Sequence, residues 1–171
     1  MKKNLVLTGM MGVGKTTIGK SLSQKLSYSF IDIDKTIEMK EGCSINMIFK
    51  NKSESYFRKL ENSVSLEKLK ENNSVISLGG GAFLDRSIRR AVKNSSVSFW
   101  LDVEVKELIK RLNRSKKRPL LYNKKLDVTV NKIYLERRKT YSEADFRIKC
   151  NFLNPEKIVN KIIKLYEKSR N

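Results

Sequence analysis

Histidine is absent from the 171 residues, and cysteine, proline and tryptophan are scarce at two, two and one. Without histidine there is no Ser-His-Asp or Cys-His nucleophile pair, no imidazole metal ligand and no imidazole base. Any acid–base chemistry falls to Asp, Glu, Lys or Tyr. Cys43 and Cys150 lie far apart and form no C-x-x-C pair, so neither a zinc site nor a disulfide framework is expected, and a reducing cytoplasm suits them. Long apolar runs are missing as well. The longest uncharged stretch, Asn72 to Leu84, is too short to span a bilayer. Met1-Lys2-Lys3 before Leu5-Val6-Leu7 looks like the start of a signal peptide, but Thr8, Gly9 and Lys15 break the apolar segment and no small-x-small cleavage site follows. The expectation is a cytoplasmic protein with no membrane partner.

Acidic residues are few beside basic ones: 18 Asp and Glu against 37 Lys and Arg leave a formal charge of +19. Such a balance attracts nucleic acid, acidic membrane surfaces, or small phosphates and carboxylates. The basic residues are spread along the chain, not gathered among aromatics, and the chain is too short for paired motor domains; both argue against a nucleic-acid-driven ATPase. No specific nucleic-acid partner is expected. The length fits one domain over 1–171 with a core of its own, and a monomer is expected.

Short β-branched runs alternate with amphipathic stretches, the rhythm of a parallel sheet covered by helices. The strands expected are Asn4 to Thr8, Ser29 to Asp32, Val75 to Leu78, Val97 to Leu101, and Phe146 to Cys150. Val105, Leu108, Ile109 and Leu112 recur at helical spacing, as do Ile158, Val159, Ile162, Ile163 and Tyr166, with Pro155 near the start of the last helix. Arg114 to Lys125 carries six basic residues and no acid, and Arg118-Pro119 does not continue a helix easily, so a mobile surface loop is expected there.

The strongest motif is Gly9-Met-Met-Gly12-Val13-Gly14-Lys15-Thr16, a full G-x-x-x-x-G-K-[ST] between an expected strand and helix. Its glycines let successive N–H groups turn around a phosphate, and the helix N-terminus adds positive potential. Lys15 reaches the β and γ oxygens, and the Thr16 hydroxyl ligates Mg²⁺. The dinucleotide fingerprint fails, because Thr17 stands where its third small residue belongs.

Asp32-Ile33-Asp34 follows the second strand, and strand alternation would point both carboxylates to one side, where one could hold Mg²⁺ through water and the other accept a hydroxyl proton. Capping of the next helix is the plainer role open to Asp34. Gly79-Gly80-Gly81 leaves the third strand and permits close backbone approach to a ligand. Taken singly, Arg58 and Arg137 read as solvated surface arginines.

In order, the phosphate-loop motif with Thr17, Asp32-x-Asp34, Ile45-x-x-Ile48-Phe49, Glu54-x-x-Phe57-Arg58-x-x-Glu61, Gly79-Gly80-Gly81-Ala82, Arg118-Pro119-Leu120-Leu121 and Glu136-Arg137-x-x-x-Tyr141 resemble the shikimate kinase family over nearly the whole chain. The resemblance implies a P-loop, nucleoside-monophosphate-kinase-like α/β fold, a three-layer sandwich with a five-stranded parallel sheet. It also implies transfer of the γ-phosphate of ATP to the 3-hydroxyl of shikimate. By the same resemblance Asp34, Arg58, Gly80, Gly81 and Arg137 are the shikimate-binding positions, with Arg58 and Arg137 on the carboxylate. Gly12 to Thr17 hold the nucleotide, Lys15, Asp34 and Arg118 serve catalysis, Arg118 also binding ATP, and Thr16 and Asp32 handle Mg²⁺. Arg118 resembles a lid arginine within 114–125, and Arg111 and Pro155 resemble the pair that sandwiches adenine. The chain departs from the family at Ser53, where Gly is usual, in the tighter Tyr141 to Asp145 spacing, and at Leu153, a place often basic. Gluconate kinases are the nearest alternative, but their acidic motif is typically followed by a histidine. A protein kinase is excluded, since neither H-R-D nor D-F-G occurs.

Overall fold

The computed structural model describes residues 4–113, 126–151 and 154–169. Five parallel strands, β1 (Asn4–Thr8), β2 (Ser29–Asp32), β3 (Ser74–Ser77), β4 (Ser96–Asp102) and β5 (Phe146–Lys149), form one sheet in the order β2-β3-β1-β4-β5. The central strands β1, β3 and β4 are buried at every residue, the small polar Ser74, Ser77, Ser96 and Ser98 included, as covering by helices on both faces requires. The edge strands β2 and β5 keep partly exposed positions. β3 begins and ends one residue earlier than the sequence suggests, β4 is longer by one at each end, and β5 stops at Lys149. These shifts follow the ladder, which pairs Ser29 with Ser74, Asp32 with Ser77, Asn4 with Ser96 and Asp102 with Lys149.

The helices are α1 (Lys15–Leu26), α2 (Ile33–Glu41), α3 (Ile45–Asn51), α4 (Glu54–Lys68), α5 (Arg86–Ser95), α6 (Val105–Asn113), α7 (Leu126–Tyr141) and α8 (Pro155–Lys168), with a 3-10 turn at Ala82–Leu84. Together with the sheet they make the three-layer α/β fold. In α6 the buried faces are Leu108 and Leu112, and in α8 they are Ile158, Val159, Ile162 and Tyr166, as their spacing requires. No described helix is long and apolar enough to cross a membrane. Both cysteines are unpaired, and burial pushes the Cys150 thiol up to about 11.

Strand order positions the site. β1 lies between β3 and β4, so the chain leaves β1 toward one edge, to β2, whereas β3 is followed across β1 by β4. A topological switch point of this kind opens a crevice at the C-terminal ends of the strands. The phosphate loop leaves β1 there, and the glycine run leaves neighbouring β3 beside it; a Cβ on Gly80 would stand 3.4 Å from the Met11 amide nitrogen.

Candidate active site

The loop from Gly9 to Gly14 turns on glycines whose conformations other residues rarely adopt. Gly14 has φ of 101° and caps α1, and Gly9 has φ of 135° with a would-be Cβ pressed on the Leu101 carbonyl. Lys15 Nζ donates to the carbonyls of Gly9 at 2.8 Å and Met10 at 3.0 Å, which holds the ammonium over the loop. The Thr16 hydroxyl donates to Asp32 Oδ2 at 2.7 Å. Val13 is buried behind the loop, while Thr17 faces outward on α1.

Asp32 and Asp34 do not share a strand face. β2 ends at Asp32, which is the N-cap of α2 and accepts from the Lys35 amide at 3.3 Å, and Asp34 lies in the first helical turn. Capping thus falls to Asp32, and the extended run ends two residues too early for alternation to align the pair. Even so, both carboxylates line one cleft of about 780 Å³ with Gly12, Gly14, Lys15, Thr16, Arg58, Glu61, Gly80, Gly81 and Arg137. Phe49 and Phe57, whose ring centroids are 5.0 Å apart, form part of its wall.

Neither Arg58 nor Arg137 is a solvated surface arginine. Arg137 is only 9% exposed and donates through Nη1 to the Gly80 carbonyl at 2.9 Å. Arg58 gives Nη1 to Glu61 Oε2 at 2.7 Å and both Nε and Nη2 to Glu54 Oε1 at 3.3 and 3.1 Å. Glu61 has a partner at this site that sequence reasoning did not assign. Its burial pushes the carboxyl above the ordinary value, with Asp34 adding to the rise, while Arg58 and Arg137 oppose it. The available signal was position, since Glu61 stands three residues after Arg58 on one helix face.

Arg111 and Pro155 are not brought into this cleft. Arg111 donates to Glu107 at 3.1 Å and to the Val13 carbonyl at 3.4 Å, so it reaches the back of the phosphate loop. Pro155 opens α8 and borders a separate hollow with Ser21 and Lys25. Arg118, the 114–125 lid segment and Leu153 lie outside the described residues. The other two departures have local explanations. Ser53 is nearly fully extended, at φ 158° and ψ 167°, and its hydroxyl caps α4 by accepting from the Tyr56 amide. Asp145 bridges to β4 by accepting from the amide and hydroxyl of Ser98 at 2.8 and 2.7 Å.

The family model described as shikimate kinase matches residues 11–167. A shikimate kinase of Persephonella marina is 40% identical over 161 residues, which are 94% of this chain and 97% of the relative. A solved shikimate kinase from Acinetobacter baumannii in complex with shikimate superposes with a TM-score of 0.94 at 31% identity, covering 99% of this chain and 95% of that one. A gluconokinase from Sinorhizobium meliloti covers 98% of this chain and 95% of its own, with a TM-score of 0.61 at 16% identity, and shares the fold alone.

Proposed function

The chain belongs to the shikimate kinase family, and on that premise we propose how its own residues carry γ-phosphate transfer from ATP to the 3-hydroxyl of shikimate. It is an ATP-dependent small-molecule kinase of the shikimate route to chorismate and the aromatic amino acids. The observation that carries the assignment of roles is the single cleft in which the phosphate loop and an arginine-lined acceptor wall face each other.

Both substrates are anionic, and Lys15, Arg58 and Arg137 lower the cost of placing them side by side. Arg58 and Arg137 take the acceptor carboxylate, because a guanidinium forks onto two oxygens. Glu54 and Glu61 use three of the five Arg58 N–H groups, which leaves one on Nη1 and one on Nη2 for the ligand. Gly80 and Gly81 let the acceptor ring approach the backbone. Asp34 orients the acceptor hydroxyl and receives its proton, while Lys15 holds the β and γ oxygens in line with it. Arg111, against the phosphate loop, and Pro155 are the adenine-side residues in this reading.

Thr16 and Asp32 present a hydroxyl and a carboxylate as paired hard oxygen donors. Such a small donor set fits a cation that keeps several waters and takes other ligands from phosphate, which is the habit of Mg²⁺. Thr16 and Asp32 would hold it, and bound Mg²⁺ would neutralise charge on the phosphates. In this reading the enzyme is a monomer, and its two free cysteines suit a reducing cytoplasm. The test is ADP release from ATP and Mg²⁺ with shikimate, gluconate and nucleoside monophosphates offered in parallel. Turnover confined to shikimate is expected; equal turnover of gluconate would overturn the assignment of the acceptor wall.

A further inference from the structure

The glycine run after β3 has no side chains with which to hold its own shape, yet it forms part of the cleft wall. Three successive glycines keep wide conformational freedom, so their orientation must be imposed from outside. The carbonyls of Gly79 and Gly81 accept from the amides of Ala82 and Leu84 at 3.1 and 3.0 Å, and the Gly80 carbonyl between them is held by two donors, both from α7. The Gly80 carbonyl accepts from Arg137 Nη1 at 2.9 Å and from the Tyr141 hydroxyl. A carbonyl has two lone pairs, and here both are engaged by residues four apart on a single helix face.

We infer that Tyr141 is a positioning residue for the acceptor site: its hydroxyl, acting with Arg137, fixes the Gly80–Gly81 peptide plane and shares the carbonyl so that Arg137 keeps donors for the substrate carboxylate. One hydrogen bond alone would let the plane pivot about the N–H···O axis, whereas two from a packed helix remove that freedom. The peptide is planar and trans, so anchoring the Gly80 carbonyl on α7 turns the Gly81 N–H to the opposite edge of the plane, away from α7. Gly81 itself abuts the Arg58 guanidinium, so the same clamp sets the floor beneath the second carboxylate-binding arginine.

Tyr141 is built for this duty. The residue is fully buried, its ring packs on Trp100 with centroids 6.0 Å apart, and the phenol oxygen is its single side-chain polar atom. Burial pushes the phenol above its ordinary value, so it remains a donor at physiological pH. The inference rests on the reading of the cleft as a shikimate site, and the two fail differently: that reading falls if the parent protein does not turn over shikimate, this one only by a comparison between parent and variant.

The experiment is steady-state kinetics of Tyr141→Phe in the full chain, with ATP and shikimate varied separately. Phe keeps the ring and its packing and removes the hydroxyl alone. The expected result is a rise in KM for shikimate of about 3- to 10-fold, the size of one hydrogen bond, with KM for ATP and kcat little changed. Trp100→Phe is the second variant: it loosens the packing around Tyr141 and spares the hydroxyl, so KM for shikimate should stay within about 2-fold of the parent. An unchanged KM for shikimate in Tyr141→Phe, equal weakening of both substrates, or the same KM rise in Trp100→Phe would each overturn the inference and leave Tyr141 a packing residue.

Discussion

Arg58 Nη1 and Glu61 Oε2 lie 2.7 Å apart, with the carboxylate side chain 4% exposed and the guanidinium 32% exposed. Arg58 is thus held in place by a buried carboxylate within the fold itself, so that, in the acceptor role proposed for it, its orientation is fixed at folding rather than at binding. Such preorganisation is specific to a planar fork. In Arg58→Lys the ammonium cannot satisfy Glu54, Glu61 and a ligand carboxylate together. Shikimate affinity should fall by about 2–5 kcal/mol, as for a desolvated charge pair that loses one partner. ATP affinity measured alone by calorimetry should be nearly unchanged; equal loss of both would make Arg58 a structural residue.

Glu61 gives a pH signature. Its folded carboxyl titrates above its ordinary value of 4.5 because burial disfavours the charge more than Arg58 favours it. The native state therefore binds more protons than the unfolded chain in the interval just above pH 4.5. Its contribution is fully present below that value and is lost as pH rises through the folded pKa. Glu61→Gln should remove this falling component from a plot of unfolding free energy against pH. A slope in that interval identical to the parent's would show that Glu61 does not titrate there.

Gly81 separates site geometry from backbone strain. Its φ of −103° and ψ of −16° suit any residue, but a Cβ would overlap the Arg58 guanidinium. Gly81→Ala should raise KM for shikimate at least ~10-fold by displacing that side chain, with Tm nearly unmoved. Gly9→Ala should do the reverse in kind, since φ is 135° and the collision is with the Leu101 carbonyl: a stability loss of about 1–3 kcal/mol, read as a lower Tm. If Gly81→Ala also melts early, the glycine is needed for the fold and not for Arg58.

The phosphate loop was legible because its chemistry is local: the glycines, Lys15 and Thr16 act within eight consecutive residues between a strand and a helix. The strands at Asn4 and Ser29 were legible for the same reason, the first ending at Gly9 and the second at the capping residue Asp32. Asp34 was misplaced because the boundary depends on a side chain, the Asp32 carboxylate that accepts from Lys35 and starts the helix early. The burial of Arg137 had no local signal at all. Its partner is the carbonyl of Gly80, 57 residues away, and a surface-like Glu136-Arg137-Arg138 string hides a side chain that only the packing of α7 turns inward. Without the family resemblance, the acceptor half of the cleft would not have been readable.

The two aspartates of the Asp32-Ile33-Asp34 motif now have distinct surroundings, and these predict distinct losses. Asp32 touches Thr16 and caps α2, and asparagine is as good a cap, so Asp32→Asn keeps the helix start and weakens only the charge beside Thr16. Activity should then demand more Mg²⁺ and recover in part when Mg²⁺ is in excess. Asp34→Asn keeps the shape of the cleft wall and loses the proposed proton acceptor. Removing a general base typically costs ~10²–10⁴-fold, but phosphoryl transfer is largely dissociative and asks little deprotonation of the nucleophile in the transition state. The fall in kcat should therefore lie near the lower end of that range, with nucleotide binding intact and no recovery in excess Mg²⁺. Titrating Mg²⁺ against both variants decides the matter: recovery of Asp34→Asn without recovery of Asp32→Asn would exchange the two roles.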